Sequence, residues 1–362
     1  QQVLTPLGSE QTTSLLVVMI WRNIRRIFSV NLKILLWILC GFSDTIYLIP
    51  MFVPKERMMM TSKERFMRMY EHREADRVPI IDSPWAGTIA RWKREGMPED
   101  ADWRDFFDVD KCESIGADIS PRYERKILEE TDRYYIATSE WGVTMKHFKE
   151  QDSTPEFLDF TVTTEEAWAE AKKRMEITPD RVNWDYLKKN YGKWVKEGRF
   201  IQAGFWFGFD VTHSWMVGTE TLLIALMENP EWVKDMADTY ARLLVDLQKM
   251  LFEAEGYPDG IWFYEDMGYK GSPFMSPAMY CELIQPAHRY TIDYAKSHNL
   301  PVIMHSCGFV EPLLPHMIEA GIDCLQVIEI KAGMDLLKLH QLYGDQICFM
   351  GGIDVRTLYT ND

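Results

Sequence analysis

His305 and Cys307 stand one residue apart where the short apolar run Val302–Met304 ends, and they offer an imidazole and a thiolate to one borderline-soft ion such as zinc. On an extended segment alternate side chains face the same way, so both donors can reach one ion. Two donors do not complete a site. Carboxylates after neighbouring apolar runs could supply a third: Glu265 and Asp266 after Ile261–Tyr264, Glu329 after Cys324–Ile328, and Asp354 after Ile347–Met350. A donor from sequence beyond Asp362 is the remaining option. Among the six cysteines, Cys324 opens its run and Cys348 lies inside one, which leaves Cys307 placed at a run's end. A helix starting after Val310 would favour its thiolate through the partial positive charge of its N-terminus.

Such residues need a scaffold that brings run ends together. Short apolar runs at Phe200–Phe205, Ile261–Tyr264, Val302–Met304, Cys324–Ile328 and Ile347–Met350 alternate with amphipathic stretches, the pattern of parallel strands joined by helices. Helix starts are punctuated by Thr61 with Glu64, by Asn229 before Pro230 and by Ser276 before Pro277, and stops fall at Gly321 and Gly344. A further strand is expected over Arg77–Ile81. Residues 103–160, with alternation at Tyr134, Ile136, Thr138 and at Trp141, Val143, Met145, read as an inserted β-hairpin region over the scaffold. The expected fold is therefore α/β, a TIM-type (β/α)8 barrel. About six strands are countable, so the barrel reads as incomplete at its C-terminus.

In parallel α/β folds the chemistry collects at the carboxyl ends of the strands. Here those ends carry Asp82 with Trp85, then Trp206 and Asp210 with His213, Glu265 with Asp266, His305 with Cys307, Glu329 with Lys331, and finally Asp354. Asp82, Asp210, Glu265 and Asp266 are candidates for catalysis, and Trp85, Trp206, Glu329, Lys331 and Asp354 for contact with a cofactor. Each has a plainer reading. Asp82, Asp210 and Asp354 can cap loops, Glu265 and Asp266 can bind loop amides, Glu329 and Lys331 can pair with each other, and His213 can be structural.

A formal charge of −15 over 362 residues argues against nucleic acid or an anionic membrane as the main partner. A small-molecule substrate is the expectation, and dispersed cysteines fit a reducing cytoplasm. The first residues differ from the rest: the apolar runs Ser14–Trp21 and Ile34–Phe42 are separated by Arg22, Arg25, Arg26 and Lys33 and each falls short of the ~20 apolar residues of a membrane span. Met58–Met60 directly precede the first helix start. Residues 1–57 are accordingly expected to be an extension outside the fold and 58–362 the barrel.

Five motifs carry a family resemblance: Met60-Thr-Ser-Lys-Glu-Arg-Phe66; Asp76-Arg-Val-Pro79; Glu265-Asp-Met-Gly268 with Ser276-Pro277; His305-Ser-Cys-Gly308; and Ala320-Gly-Ile-Asp323 through Lys331-Ala-Gly-Met-Asp335 to Gly351-Gly-Ile-Asp354. From Met58 on, the chain resembles the uroporphyrinogen decarboxylase superfamily, which includes zinc-dependent methylcobamide:coenzyme M methyltransferases. The resemblance implies a TIM-type barrel and a dimer. In the decarboxylase branch an Arg-Gln-Ala-Gly-Arg segment binds substrate carboxylates, and Ser83-Pro-Trp-Ala-Gly87 stands in that place here. In the methyltransferase branch a His-x-Cys pair and a later cysteine hold zinc, which activates a thiol toward a methyl group on a corrinoid. His305 and Cys307 match that pair. The resemblance thus implies zinc, a methyl-corrinoid as substrate or on a separate corrinoid protein, and thiol methylation. The alternatives are a metal-free decarboxylase, in which Asp82, Asp210 or Asp266 steadies a protonated pyrrole or similar cation, and a ligand-binding fragment without catalysis.

Overall fold

A computed structural model describes residues 59–150, 153–254 and 256–360, without the side chains of 358–360. The boundary expected near Met58 and the basic apolar runs before it lie outside the described residues.

The first helix, Ser62–Tyr70, starts where the sequence places it. The Thr61 hydroxyl accepts the Glu64 amide at 3.2 Å and the Glu64 carboxylate accepts the Thr61 amide at 2.7 Å, so two donors that a helix start leaves open are satisfied reciprocally. Thr61→Ala is expected to lower stability by about 1 kcal/mol, read as a shift of the urea midpoint at constant slope.

Twelve strands follow among the described residues. β1 (Cys112–Ile115) precedes an antiparallel set, β2 (Ile127–Glu130), β3 (Tyr134–Thr138), β4 (Val143–Phe148) and β5 (Glu156–Phe160). Then come β6 (Phe200–Trp206), β7 (Gly260–Tyr264), the short hairpin β8 (Gly268–Tyr269) and β9 (Ser272–Pro273), β10 (Val302–His305), β11 (Cys324–Val327) and β12 (Cys348–Gly351). Six of them form one parallel sheet in the order β1-β6-β7-β10-β11-β12, with helices in the crossovers from β6 onward. This arrangement fits the wall of a TIM-type barrel.

Two expectations are corrected. Arg77–Ile81 belongs to no ladder. Val78 and Ile80 are exposed, Pro79 has no N–H to give, and Ile80 exchanges its backbone bonds with Asp110 alone: its amide donates to the Asp110 carboxylate and its carbonyl accepts the Asp110 amide. The sixth strand is instead β1, inside the region read as an insertion. Only Ile115 of its four residues is fully buried, because this strand pairs on one side only, so the sequence there lacks a continuous apolar run. The inserted region itself is larger than a hairpin: β2-β3-β4-β5 form a four-stranded antiparallel sheet.

Strand register decides which residues share a face. Trp206, Tyr264, His305, Gln326 and Met350 are successive partners across β6, β7, β10, β11 and β12. Two residues earlier on the same face, Trp262, Ile303, Cys324 and Cys348 pack as a small buried cluster. Met69 and Tyr70 of the first helix pack against this cluster, and the Cys348 thiol donates to the Met69 carbonyl at 2.9 Å. The opposite face, with Phe205, Phe263, Met304 and Leu325, joins the main core under the helices. The face with His305 is therefore the inner one, plugged by the first helix at the strands' amino ends and open to chemistry at their carboxyl ends.

Candidate metal centre

The residue row at the carboxyl ends sets the centre. His305 ends β10 between Tyr264 on β7 and Gln326 on β11. Its Nδ1–H donates to Gln326 Oε1, which fixes the tautomer and leaves the Nε2 lone pair free. Nε2 lies 3.3 Å from Cys307 Sγ and 3.4 Å from Asp266 Oδ1. Ligand atoms of Asp266, His305 and Cys307 all fall within 4.8 Å of one another. Tetrahedral donors on zinc bonds of roughly 2.0–2.3 Å stand about 3.3–3.7 Å apart, and the two distances from Nε2 match that spacing.

Backbone contacts hold the donors in place. The Cys307 amide donates to Asp266 Oδ1 at 2.7 Å, and the Gly308 amide donates to Glu329 Oε2 at 2.7 Å. Ser306 donates its amide to the Gln326 carbonyl and accepts the Met267 amide on its hydroxyl. Gly308 has φ +80° and lies against the Gly268 backbone; a Cβ on either glycine would overlap the other loop. Glu329 follows Ile328, a β-branched residue at φ 55°, a conformation that costs energy and turns the chain sharply at the end of β11.

The thiol differs from expectation. Burial pushes the Cys307 thiol up, and the nearby carboxylates of Asp266 and Glu329 push it further, so the helix that begins at Leu314 does not prevail. Two carboxylates beside a thiol are unfavourable for a bare thiolate and favourable for a divalent cation, and the donor set fits zinc on that ground as well as by spacing.

The other strand-end residues distribute as follows. Glu265 is fully buried and faces away from this cluster, accepting the amides of Phe209 at 3.3 Å and Asp210 at 3.1 Å and bonding His288 Nε2 at 2.9 Å. Asp210 is buried; Oδ1 accepts the Ser214 hydroxyl at 2.8 Å while Oδ2 has no partner. Burial, with Asp266 and Glu265 close by, raises its pKa well above the usual carboxylate range. His213 joins the Asp266 carbonyl to Thr219 at 3.1 and 3.2 Å, a structural bridge. Trp206 is partly exposed, stacks on Tyr264 at 5.1 Å and meets Trp215 edge-on at 5.4 Å, and Tyr264 lies 5.5 Å from the His305 ring. These rings form an aromatic wall from β6 to the cluster.

Four candidates do not join. Asp82 is exposed and accepts the Ser83 amide, and Trp85 is exposed at the start of the helix Ala86–Arg94. Lys331 is exposed and pairs with Glu329 at 3.4 Å. Asp354 accepts from Arg356 and caps the last helix. Sequence reading missed Gln326, Ser306, His288 and Tyr280. A lone polar residue inside an apolar strand was the available signal for Gln326; His288 and Tyr280 sit in helical stretches where nothing sets them apart.

A family model described as uroporphyrinogen decarboxylase (URO-D) matches residues 138–362, more than half of the chain. A methylated-thiol–coenzyme M methyltransferase of Methanosarcina mazei is 27% identical over 146 residues, which are 40% of this chain. The match spans only 37% of that relative's length. A solved methyltransferase from Methanosarcina mazei superposes with a TM-score of 0.54 at 15% identity, covering 81% of this chain and 82% of that one, a likeness of fold alone.

Proposed function

This chain belongs to the uroporphyrinogen decarboxylase (URO-D) family, and on that premise we propose that it is an enzyme of metal-dependent methyl transfer, moving a methyl group from a corrinoid to a thiol. The observation that carries this reading is the convergence of Asp266, His305 and Cys307. Those three residues would hold zinc. Bound there, zinc would supply the Lewis acidity that keeps an acceptor thiol ionised at neutral pH.

The chain's own groups have separate tasks in this reading. Gln326 holds the His305 tautomer, Glu329 fixes the Gly308 amide, and the wall of Trp206 and Tyr264 shields one side of the centre from water. The methyl donor would be a methyl-corrinoid, free or carried on a separate protein. The same reading makes the domain cytoplasmic; among the described residues no helix is long and apolar enough to cross a membrane. We also propose the division near Met58.

The decarboxylase alternative draws less support. Of the three basic residues that could stand in for the missing arginines, Arg91, Lys93 and Arg94, the first pairs with Glu95 at 2.7 Å and the second with Glu99 at 3.1 Å.

Elemental analysis of the full chain is expected to give about one zinc per folded molecule, and incubation with methylcobalamin and a small thiol is expected to yield the thioether. A well-folded, cooperatively melting sample that takes up no metal would remove this reading and return the decarboxylase or simple ligand binding to first place.

A further inference from the structure

Glu265 precedes the metal donor Asp266 in the chain, yet its carboxylate points into the core. It meets a buried relay there. Tyr280 Oη is 2.9 Å from His288 Nδ1, and His288 Nε2 is 2.9 Å from Glu265 Oε1. On its other side Glu265 receives the amides of Phe209 and Asp210. All three side chains are fully buried. Burial raises the Tyr280 pKa, so its hydroxyl stays a donor to Nδ1; the Nε2–H of His288 then donates to the carboxylate, and each polar atom of the row has a partner.

The relay's position is telling. Tyr280 opens the π-helical turn Tyr280–Ile284, and Asp210 directly precedes the π-helical segment Val211–Met216. Turns of this kind are rare and concentrate at functional sites. Glu265 therefore clamps three elements: the carboxyl end of β7, the loop after β6, and the helix Gln285–Ser297 that bears His288.

We infer that the buried Tyr280–His288–Glu265 relay is a positioning device for Asp266, holding the end of β7 so that the Asp266 carboxylate meets His305 and Cys307. His288 is thus a positioning residue, some distance from the donors themselves. This rests on the metal reading above for its purpose, and on the hydrogen-bond geometry for its existence.

Two readouts on the full chain separate those grounds. Cobalt(II) titration followed by visible absorption reports the assembled donor set. With His288→Leu, which removes the donor to Glu265, cobalt is expected to bind ten- to a hundredfold more weakly with an altered band, the effect typical of losing a group behind a metal ligand. His288→Gln, which can still donate to Glu265 and accept from Tyr280, is expected to stay within about threefold of the parent. In metal-free protein, alkylation of Cys307, located by peptide mass, is expected to run several-fold faster in His288→Leu because Asp266 no longer covers the sulfur. If the parent takes up no cobalt, the metal reading fails and the alkylation rates alone decide the relay. Unchanged rates in folded His288→Leu overturn the relay, whatever cobalt does. Should His288→Leu not fold, Tyr280→Phe replaces it: an unchanged alkylation rate there overturns the inference, and a faster one sustains it.

Discussion

Replacing His305 and Cys307 together by alanine is expected to take the zinc content from about one per chain to none and to lower methyl transfer by at least about 10²-fold, the effect of losing several kcal/mol of Lewis-acid assistance. The two side chains supply two of the three donors within 4.8 Å, and no other described histidine, cysteine or carboxylate completes that group. Both are partly exposed at the carboxyl ends of the strands, outside the main core, so the melting temperature should change little. Asp266→Asn should give a graded result. An asparagine can still accept the Cys307 amide, but it brings no charge, so the metal should bind more weakly without being lost. Metal retained in the double variant, measured by elemental analysis after dialysis, would refute the assignment.

A second large effect is expected far from the site. Arg65 bridges Asp76 and Asp110 at 2.7 Å each, with all three side chains nearly or fully buried. Removing one partner from such a group leaves charge without compensation, and Arg65→Met is expected to cost about 3–5 kcal/mol at pH 7. The pH dependence follows from the carboxylates. The hydrogen bond from Arg65 holds Asp76 well below the usual range. Burial alone would raise Asp110, but the Ile80 amide, Arg65, Arg77 and Ser62 outweigh it and hold it low as well. Groups depressed in the folded state stabilise it above their unfolded pKa, near ~4, and that contribution fades as pH falls toward the folded value. The gap between parent and Arg65→Met should therefore be widest at neutral pH and narrow at about pH 3, where the unfolded chain is already protonated. Urea melts at the two pH values measure it; an equal gap at both would contradict the argument.

The alternation of apolar runs made the parallel strands β6, β7, β10, β11 and β12 legible; the first three are buried over nearly their whole length and read as continuous apolar stretches. β1 was not legible, since a strand paired on one side tolerates Glu113 and Ser114. Val78 and Ile80 misled for the converse reason: β-branched residues there face solvent beside a proline, while Ile81 packs against the inner cluster. At the site, His305 and Cys307 stood out by type and spacing. The choice of Asp266 over Glu265 did not, because which of two adjacent carboxylates turns inward depends on what lies behind them. Behind Glu265 lie His288 and two loop amides, from parts of the chain with no sequence signal linking them to β7. Glu329 and Asp354 were equal candidates by position, and contacts with the Gly308 amide and with Arg356 distinguish them.

The contact of Gly268 with Gly308 bears on how freely this centre can be redesigned. At these two glycines, forty positions apart, the loops meet backbone to backbone, so neither can be lengthened, bent or given a side chain at that point without shifting the other. The proposed donors at 266, 305 and 307 are in that sense interchangeable parts mounted on a fixed bracket. An engineer who wants a softer or harder metal there has a choice of side chains, and none of backbone.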